Sequence, residues 1–344
     1  MRARRALVAV LAALVVAGFG ACAGSDDRAA PTAPTSQARP EPSPAEVTSF
    51  SIETDLVDTS TPGGRLDDDR STPKINVLLP TGYHDGSDRY PVLWLLHGAD
   101  HGADAWLDNI ETLAADLPAI VVMPDGGLIG MYTDWWNGGS REGTAWATFH
   151  LDTVRDEVEQ RFRIREGRQW HAIAGVSMGG QGALRYAALL PDYFGSVATF
   201  SAAMPDMQSV VADVQVAGLG RGAVTYDDIF GPRDGSYAAE NNPSALVPNL
   251  SHTRVFMTSG DGTNCPQDPV NPDSIGNDEL IETAIDREQT AFAETARSAG
   301  VDITAVTTCG VHTFGVWERA FVAARDWGFF EPVAEVATEE PAGR

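Results

Sequence analysis

Residues 173–180 read Ile-Ala-Gly-Val-Ser-Met-Gly-Gly, and this sequence is the strongest indication of the fold. It places Gly175, Ser177 and Gly179 in the spacing G-x-S-x-G, after an apolar run that starts at Trp170. A strand, a tight turn and a helix in this order are typical of a nucleophile elbow, which holds its serine in strained geometry above a parallel sheet. Glycines flank such a serine because side chains there would collide with the neighbouring strand and helix. The pattern predicts that Ser177 is a nucleophile, and an ordinary turn with an inert serine is the alternative.

Apolar runs alternate with helical segments on both sides of this elbow. Residues 91–96 and 119–123 are continuous apolar runs, as expected of strands that are buried on both faces. This alternation predicts the α/β class, with a mainly parallel doubly wound sheet and helices on both faces. Together with the elbow it indicates an α/β-hydrolase fold. Residues 204–250 carry many Gly and Pro and lack strand periodicity, so we expect a cap-like insertion there. Further strands are expected at 48–56, 74–79, 170–174, 196–201, 254–258 and 301–307.

Residues 1–22 have the organisation of a signal peptide. Three arginines precede an apolar core at residues 6–19, which is too short for a comfortable membrane span. Gly20-Ala21-Cys22 then resembles the lipobox of bacterial lipoproteins, in which the cysteine is lipidated. The sequence therefore predicts export, either as a cell-envelope lipoprotein anchored to the membrane through Cys22 or, with plain cleavage nearby, as a secreted protein.

The remaining chain divides by composition. Residues 23–46 are rich in Ala, Pro, Ser and Thr, which predicts a disordered linker. Residues 47–332 are expected to form the catalytic domain, and residues 333–344 a flexible tail.

The charge balance is strongly acidic, with a formal net charge of −24 at pH 7. It argues against nucleic acid as a partner and against electrostatic docking to anionic lipid, because both need basic patches. Lys74 is the only lysine, which leaves almost no candidate for Schiff-base chemistry. Three aspartates at 67–69 lack the ligand spacing of a calcium loop, so we expect a solvated loop. No metal or organic cofactor is expected, and we predict a monomer.

A serine nucleophile needs a histidine base and a carboxylate that orients it, in the chain order Ser, acid, His for this fold. Of the two histidines after Ser177, His252 precedes a strand at its amino end, whereas His312 follows the last strand, so His312 is the predicted base. The acid has two candidates. Asp261 follows the 254–258 strand directly, and Glu282 lies in the helix beyond it. The residues alone slightly favour Asp261.

The oxyanion that forms during acyl transfer needs backbone N–H donors. One is expected from Met178, the residue after the nucleophile, and the other from Ala99, in the turn after His97-Gly98. His97 is interpreted as a loop-shaping residue and not as a second base.

Seven short motifs carry a family resemblance. In chain order they are YTDW at 132–135, WATFH at 146–150, AGVSMGG at 174–180, FGP at 230–232, NP at 242–243, SGDG at 259–262 and HTF at 312–314. Together they resemble the esterase family that includes the mycolyltransferases of the antigen 85 type, with S-formylglutathione hydrolases as more distant members. The resemblance covers about residues 47–330 and implies acyl transfer by a serine enzyme on an α/β-hydrolase fold.

The resemblance also has three residue-level implications, of which the first is that Glu282 becomes the predicted acid and Asp261 the alternative. In the mycolyltransferases the acid is a glutamate in the helix after a Gly-Asn-Gly-like turn, and that position corresponds to Glu282, with Asp261 in the turn. Their aspartate and arginine for trehalose correspond to His97 and Asp100, so trehalose as acceptor is in doubt. Their tryptophan after the histidine is replaced by Phe314, which keeps an apolar wall.

Two cysteines and two tryptophans complete the predicted site. Cys265 lies close after Asp261, and Cys309 precedes the predicted base by three residues. A disulfide between them would join the acid-side loop to the base loop, and two free buried thiols are the alternative. Trp135 and Trp146 are candidates for contact with an acyl or sugar group, with core filling as the alternative.

These patterns predict an exported serine esterase or acyltransferase that cleaves a small-molecule, lipid or glycolipid ester through an acyl-enzyme. The acyl group would pass to water or to an alcohol or sugar acceptor. A mycolyltransferase acting on trehalose mycolates and a catalytically inactive cell-surface binding module are the alternatives.

Overall fold

The computed structural model describes residues 41–140, 143–219, 222–267 and 277–330. The predicted signal peptide, Cys22, most of the linker and the predicted tail lie outside these residues. The described strands are listed here in chain order: β1 Glu46–Ser51, β2 Lys74–Leu79, β3 Val92–Leu96, β4 Ile120–Pro124, β5 His171–Val176, β6 Ser196–Phe200, β7 Arg254–Gly260 and β8 Ile303–Thr308.

These eight strands form one sheet in the order β1-β2-β4-β3-β5-β6-β7-β8. Strands β3 to β8 are mutually parallel, whereas β1 and β2 form an antiparallel hairpin that joins the sheet through β4. The mainly parallel doubly wound sheet and the α/β-hydrolase fold are therefore confirmed. The carboxyl ends of the parallel strands share one edge, which is where such sheets place their ligands.

Helices connect the strands. Their bounds are α1 Ile110–Leu113, α2 Trp146–Thr148, α3 Arg155–Arg161, α4 Met178–Leu189, α5 Val210–Leu219, α6 Tyr226–Phe230, α7 Ser236–Asn241, α8 Asn277–Ser298 and α9 Phe314–Trp327. A π-helical segment, Phe149–Val154, joins α2 to α3.

Alternate residues of the central strands supply two cores, one on each face of the sheet. On β3, Val92, Trp94 and Leu96 pack into the larger core, while Leu93 and Leu95 pack into the other. The larger core takes residues of α4 and α8, and the smaller core takes residues of α1 and α9. Burial on both faces explains why these strands read as continuous apolar runs.

Two segments differ from expectation. The first strand ends at Ser51, earlier than the predicted 48–56 strand, and the 22-residue connection to β2 lies at the carboxyl edge of the parallel strands because β2 is antiparallel to β4. The predicted cap-like insertion forms α5, α6 and α7, and buried side chains of α5 and α6 belong to the same core as α4. Whether this segment works as a cap stays a prediction.

No helix among the described residues is long and apolar enough to cross a membrane.

Candidate active site

Ser177 occupies the turn between β5 and α4 with φ of 53° and ψ of −116°. A residue with a side chain is strained in this backbone conformation, and hydrogen bonds to neighbouring backbone groups hold Ser177 in it. The Ser177 amide donates to the Phe200 carbonyl at 2.9 Å, and the Ser177 carbonyl accepts from the Ala203 amide at 3.0 Å. Gly175 and Gly179 are needed because strand and helix cross closely here: a Cβ on Gly175 would lie 2.2 Å from the Gly179 oxygen.

His312, in the loop between β8 and α9, connects this serine to a carboxylate. Nε2 of His312 lies 3.0 Å from Ser177 Oγ, and Nδ1 lies 2.6 Å from Glu282 Oε2 on α8. The side chain of His312 is 14% exposed and that of Glu282 is 0% exposed. The three groups therefore form one continuous hydrogen-bonded chain from a buried carboxylate to a reachable hydroxyl.

The second oxygen of Glu282 is fully engaged. Oε1 accepts a hydrogen bond from the Gly260 amide at 2.5 Å and another from Ser201 Oγ at 2.6 Å. Burying a carboxylate without partners is costly, and these donors offset that cost. They also fix the direction of Oε2 towards the imidazole.

Asp261 lies elsewhere. It is exposed just beyond the end of β7, where its Oδ1 accepts from the amide and hydroxyl of Thr263 and, at 3.4 Å, from the Gly310 amide. Its carboxylate closes the turn after β7 and does not face His312. The geometry therefore brings Glu282 to the base and leaves Asp261 in a turn.

The two predicted oxyanion donors border the serine. Met178 is the first residue of α4, so its amide has no acceptor within the helix. Ala99 follows Gly98, which packs so closely that a Cβ on it would lie 3.5 Å from Ser177 Cβ. Neither amide takes part in the backbone hydrogen bonds of the described turns and loops. Their role as oxyanion donors stays a prediction.

His97 shapes the loop that carries Ala99. Its Nε2 accepts from the Gly126 amide at 2.8 Å, and its Nδ1 lies 2.8 Å from the Gly98 carbonyl. One neutral tautomer, protonated on Nδ1, satisfies both contacts. Burial lowers the pKa of His97 more than its bond to the Gly98 carbonyl raises it, which favours that neutral form.

A buried ion pair anchors the other end of the same loop. Asp125, at the end of β4, is 1% exposed and accepts from the Ala103 amide at 2.8 Å. Arg70 binds both oxygens of Asp125, at 2.7 and 3.2 Å. Arg70 belongs to the β1–β2 connection, so this connection helps to hold the loop that carries Ala99.

His150 lies under the same region with no exposure. Its Nε2 is 2.7 Å from the Asp125 carbonyl, and its Nδ1 is 2.9 Å from the Tyr186 hydroxyl. Burial is the main reason that the pKa of His150 falls to about 4. This histidine is a neutral structural bridge.

Cys265 and Cys309 form a disulfide bond. It links the loop after β7 to the loop that leads into His312, and Thr263 and Gly310 pair beside it. The bond therefore closes a loop that contains the α8 carboxylate.

The three aromatic residues predicted to contact substrate differ in their exposure. Trp146 is 0% exposed and its indole donates to the Gly63 carbonyl, while Trp135 is 4% exposed and donates to the Gly130 carbonyl. Their rings fill the core and their N–H groups hold loop backbone, so a substrate contact for either tryptophan stays a prediction. Phe314 is half-buried, two residues beyond the histidine, and lines a cavity of about 440 Å³. Its role as a substrate wall stays a prediction.

A second cavity, of about 550 Å³, borders Asp100, the residue after the predicted oxyanion donor Ala99. The Asp100 amide donates to the Leu128 carbonyl, and the Leu128 amide donates to the Arg65 carbonyl. The β1–β2 connection therefore forms one wall. That wall includes Thr61 and Asp67, and the remaining walls include Ile129, Leu219 and Ala223.

Sequence reasoning missed Ser201 and Trp317. Trp317 Nε1 donates to Ser201 Oγ at 3.1 Å, and the same indole packs edge-on to the His312 ring at 5.0 Å. The only available signal was a serine directly after a buried strand, at the edge where sites form. Among the described residues, no group of three or more His, Cys, Asp or Glu side chains is arranged to hold a metal ion.

The sequence model of the family described as "Putative esterase" matches residues 70–327. Esterase Rv1288 of Mycobacterium tuberculosis is 32% identical over 254 residues, which cover 70% of this chain and 53% of that protein. The diacylglycerol acyltransferase/mycolyltransferase Ag85A of Mycobacterium ulcerans is 28% identical over 213 residues, covering 58% of this chain and 59% of that protein. The chain thus spans about half the length of the curated relatives that it matches.

Solved structures support the fold. MPT51 of Mycobacterium tuberculosis superposes with a TM-score of 0.60 at 22% identity, covering 81% of this chain and 98% of that one. The serine hydrolase FphF of Staphylococcus aureus gives a TM-score of 0.62 at 20% identity, covering 83% and 98%. At these identities the likeness concerns the fold alone. The family match covers most of the chain, and by that match the chain belongs to the esterase family, with an α/β-hydrolase fold.

Proposed function

We propose that this protein is a serine esterase or acyltransferase that cleaves carboxylic esters through an acyl-enzyme. One observation carries the proposal: Ser177 Oγ, His312 and the buried Glu282 form a single hydrogen-bonded chain, with contacts of 3.0 and 2.6 Å. The strained elbow and two unpaired amides beside the serine support it.

In the acylation step, Ser177 Oγ attacks the ester carbonyl carbon while its proton passes to His312 Nε2. The Glu282 carboxylate holds the proton on Nδ1 and stabilises the imidazolium that forms. The carbonyl oxygen becomes an oxyanion and accepts hydrogen bonds from the amides of Ala99 and Met178. When the tetrahedral intermediate collapses, the alkoxide leaves with the proton from Nε2, and the acyl group stays on the serine.

Deacylation repeats these steps with a different nucleophile. His312 removes a proton from water or from an alcohol, whose oxygen then attacks the acyl-enzyme, and Ser177 recovers its proton when the intermediate collapses. Water gives hydrolysis, and an alcohol or sugar gives transfer.

The cavity beside Asp100 supports an alcohol or sugar subsite in this scheme. Its volume of about 550 Å³ suits a small molecule, and its walls combine carboxylates and a guanidinium with aliphatic side chains. Asp100 follows the predicted oxyanion donor Ala99 in the chain, so a group in this cavity would contact the loop that carries that donor.

Trehalose is less well supported as the acceptor. Both ring nitrogens of His97 are engaged by backbone and the residue is 1% exposed. A side chain in this state has no donor or acceptor left for a sugar, which favours a general ester substrate over trehalose mycolates.

Export is part of the proposal and depends on residues 1–22, with lipidation at Cys22 as one outcome and secretion as the other. Both fit an ester substrate in the cell envelope. A binding module that has lost its activity is the competing function, but such a module would need neither an aligned base nor a buried acid.

Turnover of short-chain nitrophenyl esters, measured with and without added sugars, tests the proposal. Hydrolysis that Ser177→Ala abolishes is expected. Faster release of nitrophenol with formation of acylated sugar would identify a transferase, and release unaffected by sugars would identify an esterase. No release from any ester would favour the binding module.

A further inference from the structure

We propose that Ser201 and Trp317 are positioning residues that hold both Glu282 and His312 in their reactive orientation. The inference rests on the proposed function and extends the three-residue chain by two members. Ser201 directly follows β6, which is the strand next to the elbow strand β5. Trp317 lies in the first turn of α9.

The direction of each hydrogen bond in this pair is determined by chemistry. An indole N–H can only donate, so Ser201 Oγ, 3.1 Å from Trp317 Nε1, must accept. The Ser201 hydroxyl proton is then left for Glu282 Oε1, at 2.6 Å. This leaves one proton arrangement, which ends on the carboxylate with two donors on Oε1.

The two residues reach the acid and the base from one side. Trp317 contacts the His312 ring directly, with ring centroids 5.0 Å apart and planes at 80°, and reaches Glu282 through Ser201. Trp317 is 6% exposed and Ser201 is 0% exposed, so bulk water cannot easily replace either contact. A rotation of Glu282 would break the Ser201 contact, and a rotation of His312 would run into the indole.

The backbone of Ser201 supports a functional role. Its φ is +50°, a left-handed conformation that glycine adopts at much lower cost. Its amide donates to the Thr258 carbonyl at 2.7 Å, which holds this conformation. A serine at a position that suits glycine indicates that the hydroxyl itself matters.

The variant Ser201→Gly separates a positioning role from a structural one. Glycine relieves the backbone strain while it removes the hydroxyl, so we expect a melting temperature within about 5 °C of the wild type. We expect kcat on a nitrophenyl ester to fall by about 10- to 100-fold, because supporting partners of a site residue typically have effects of this size, with KM changed less than about threefold. Ser201→Ala keeps the strain and should lose as much activity.

Trp317→Phe provides a second, independent variant. Phenylalanine keeps a ring against His312 but has no N–H for Ser201, so kcat should fall by less than in Ser201→Gly. Because the indole N–H acts through the serine, the two changes should not be additive: Trp317→Phe in the Ser201→Gly background should change kcat less than about twofold.

Ser259→Ala is the matched control. Ser259 is also buried, and its hydroxyl donates to Asp286 on the same helix, one turn beyond Glu282, at 2.8 Å. This variant should lose stability and keep kcat. A Ser201→Gly protein with wild-type kcat, or fully additive effects of the two variants, would overturn the inference. A wild-type protein without any turnover would contradict the proposed function instead.

Discussion

The buried carboxylate of Glu282 lies 2.6 Å from Nδ1 of His312, although Asp261 stands nearer to the strand end where this fold usually places its acid. The helix that carries Glu282 reaches back over the end of β7, so the Gly260 amide can donate to the carboxylate. The acid is therefore supplied by a helix and not by the loop after the strand.

Replacing the two acids separately distinguishes their roles. In Glu282→Gln the side-chain NH₂ can face Nδ1, which forces the wrong imidazole tautomer, so kcat on a nitrophenyl ester should fall by about 10³- to 10⁴-fold. Asp261→Asn removes only a turn contact and should keep kcat within about threefold. A larger loss from the Asp261 change would show that the acid is misassigned.

The disulfide between Cys265 and Cys309 should contribute strongly to stability. It closes a loop with a sequence separation of 44, for which chain entropy gives about 4 kcal/mol. The double variant Cys265→Ser/Cys309→Ser should have a free energy of unfolding lower by about 4 kcal/mol, measured by urea denaturation, and its stability should no longer respond to reductant. Alkylation of both thiols in the native protein without reductant, located by peptide mapping, would contradict this bond.

Acid should destabilise the protein through His150. Burial lowers the pKa of His150 from 6.5 to about 4. Between these two pH values the histidine is protonated in the unfolded chain and neutral in the folded chain. The associated stability is complete above pH 6.5 and is lost as the pH falls towards 4. When the pH is lowered from about 7 to about 4.5, the free energy of unfolding should fall by about 2 kcal/mol less for His150→Phe than for the wild type.

The control for this pH effect is His252→Phe, which removes an exposed histidine from the surface. Its unfolding free energy should depend on pH as in the wild type. Equal pH slopes for His150→Phe and the wild type would show that another group carries the acid sensitivity.

Much of the site could be predicted from local pattern. The elbow at Ser177 depends on neighbours within a few positions, and the place of His312 depends on which end of a parallel strand it follows. Both follow from rules of chain direction in parallel sheets. The residues alone could not rank Glu282 above Asp261, because the choice depends on how α8 crosses the end of β7.

The sequence also could not predict which side chains are buried by residues distant in the chain. Trp135 and Trp146 belong to two of the family motifs, yet the 22-residue connection between β1 and β2 covers them. The Gly63 carbonyl of this connection accepts a hydrogen bond from the Trp146 N–H. That connection has no regular periodicity, so its path over the carboxyl edge is a property of the antiparallel hairpin. Ser201 was missed for a related reason: its positive φ and its contact with Glu282 are long-range features.

If Ser177 is an activated nucleophile, it should react with a fluorophosphonate probe. The wild-type protein should be labelled at Ser177, as located by peptide mass spectrometry, and labelling should be absent in Ser177→Ala and much slower in Glu282→Gln. A wild-type protein that stays unlabelled, or that carries the label on another residue, would contradict the account.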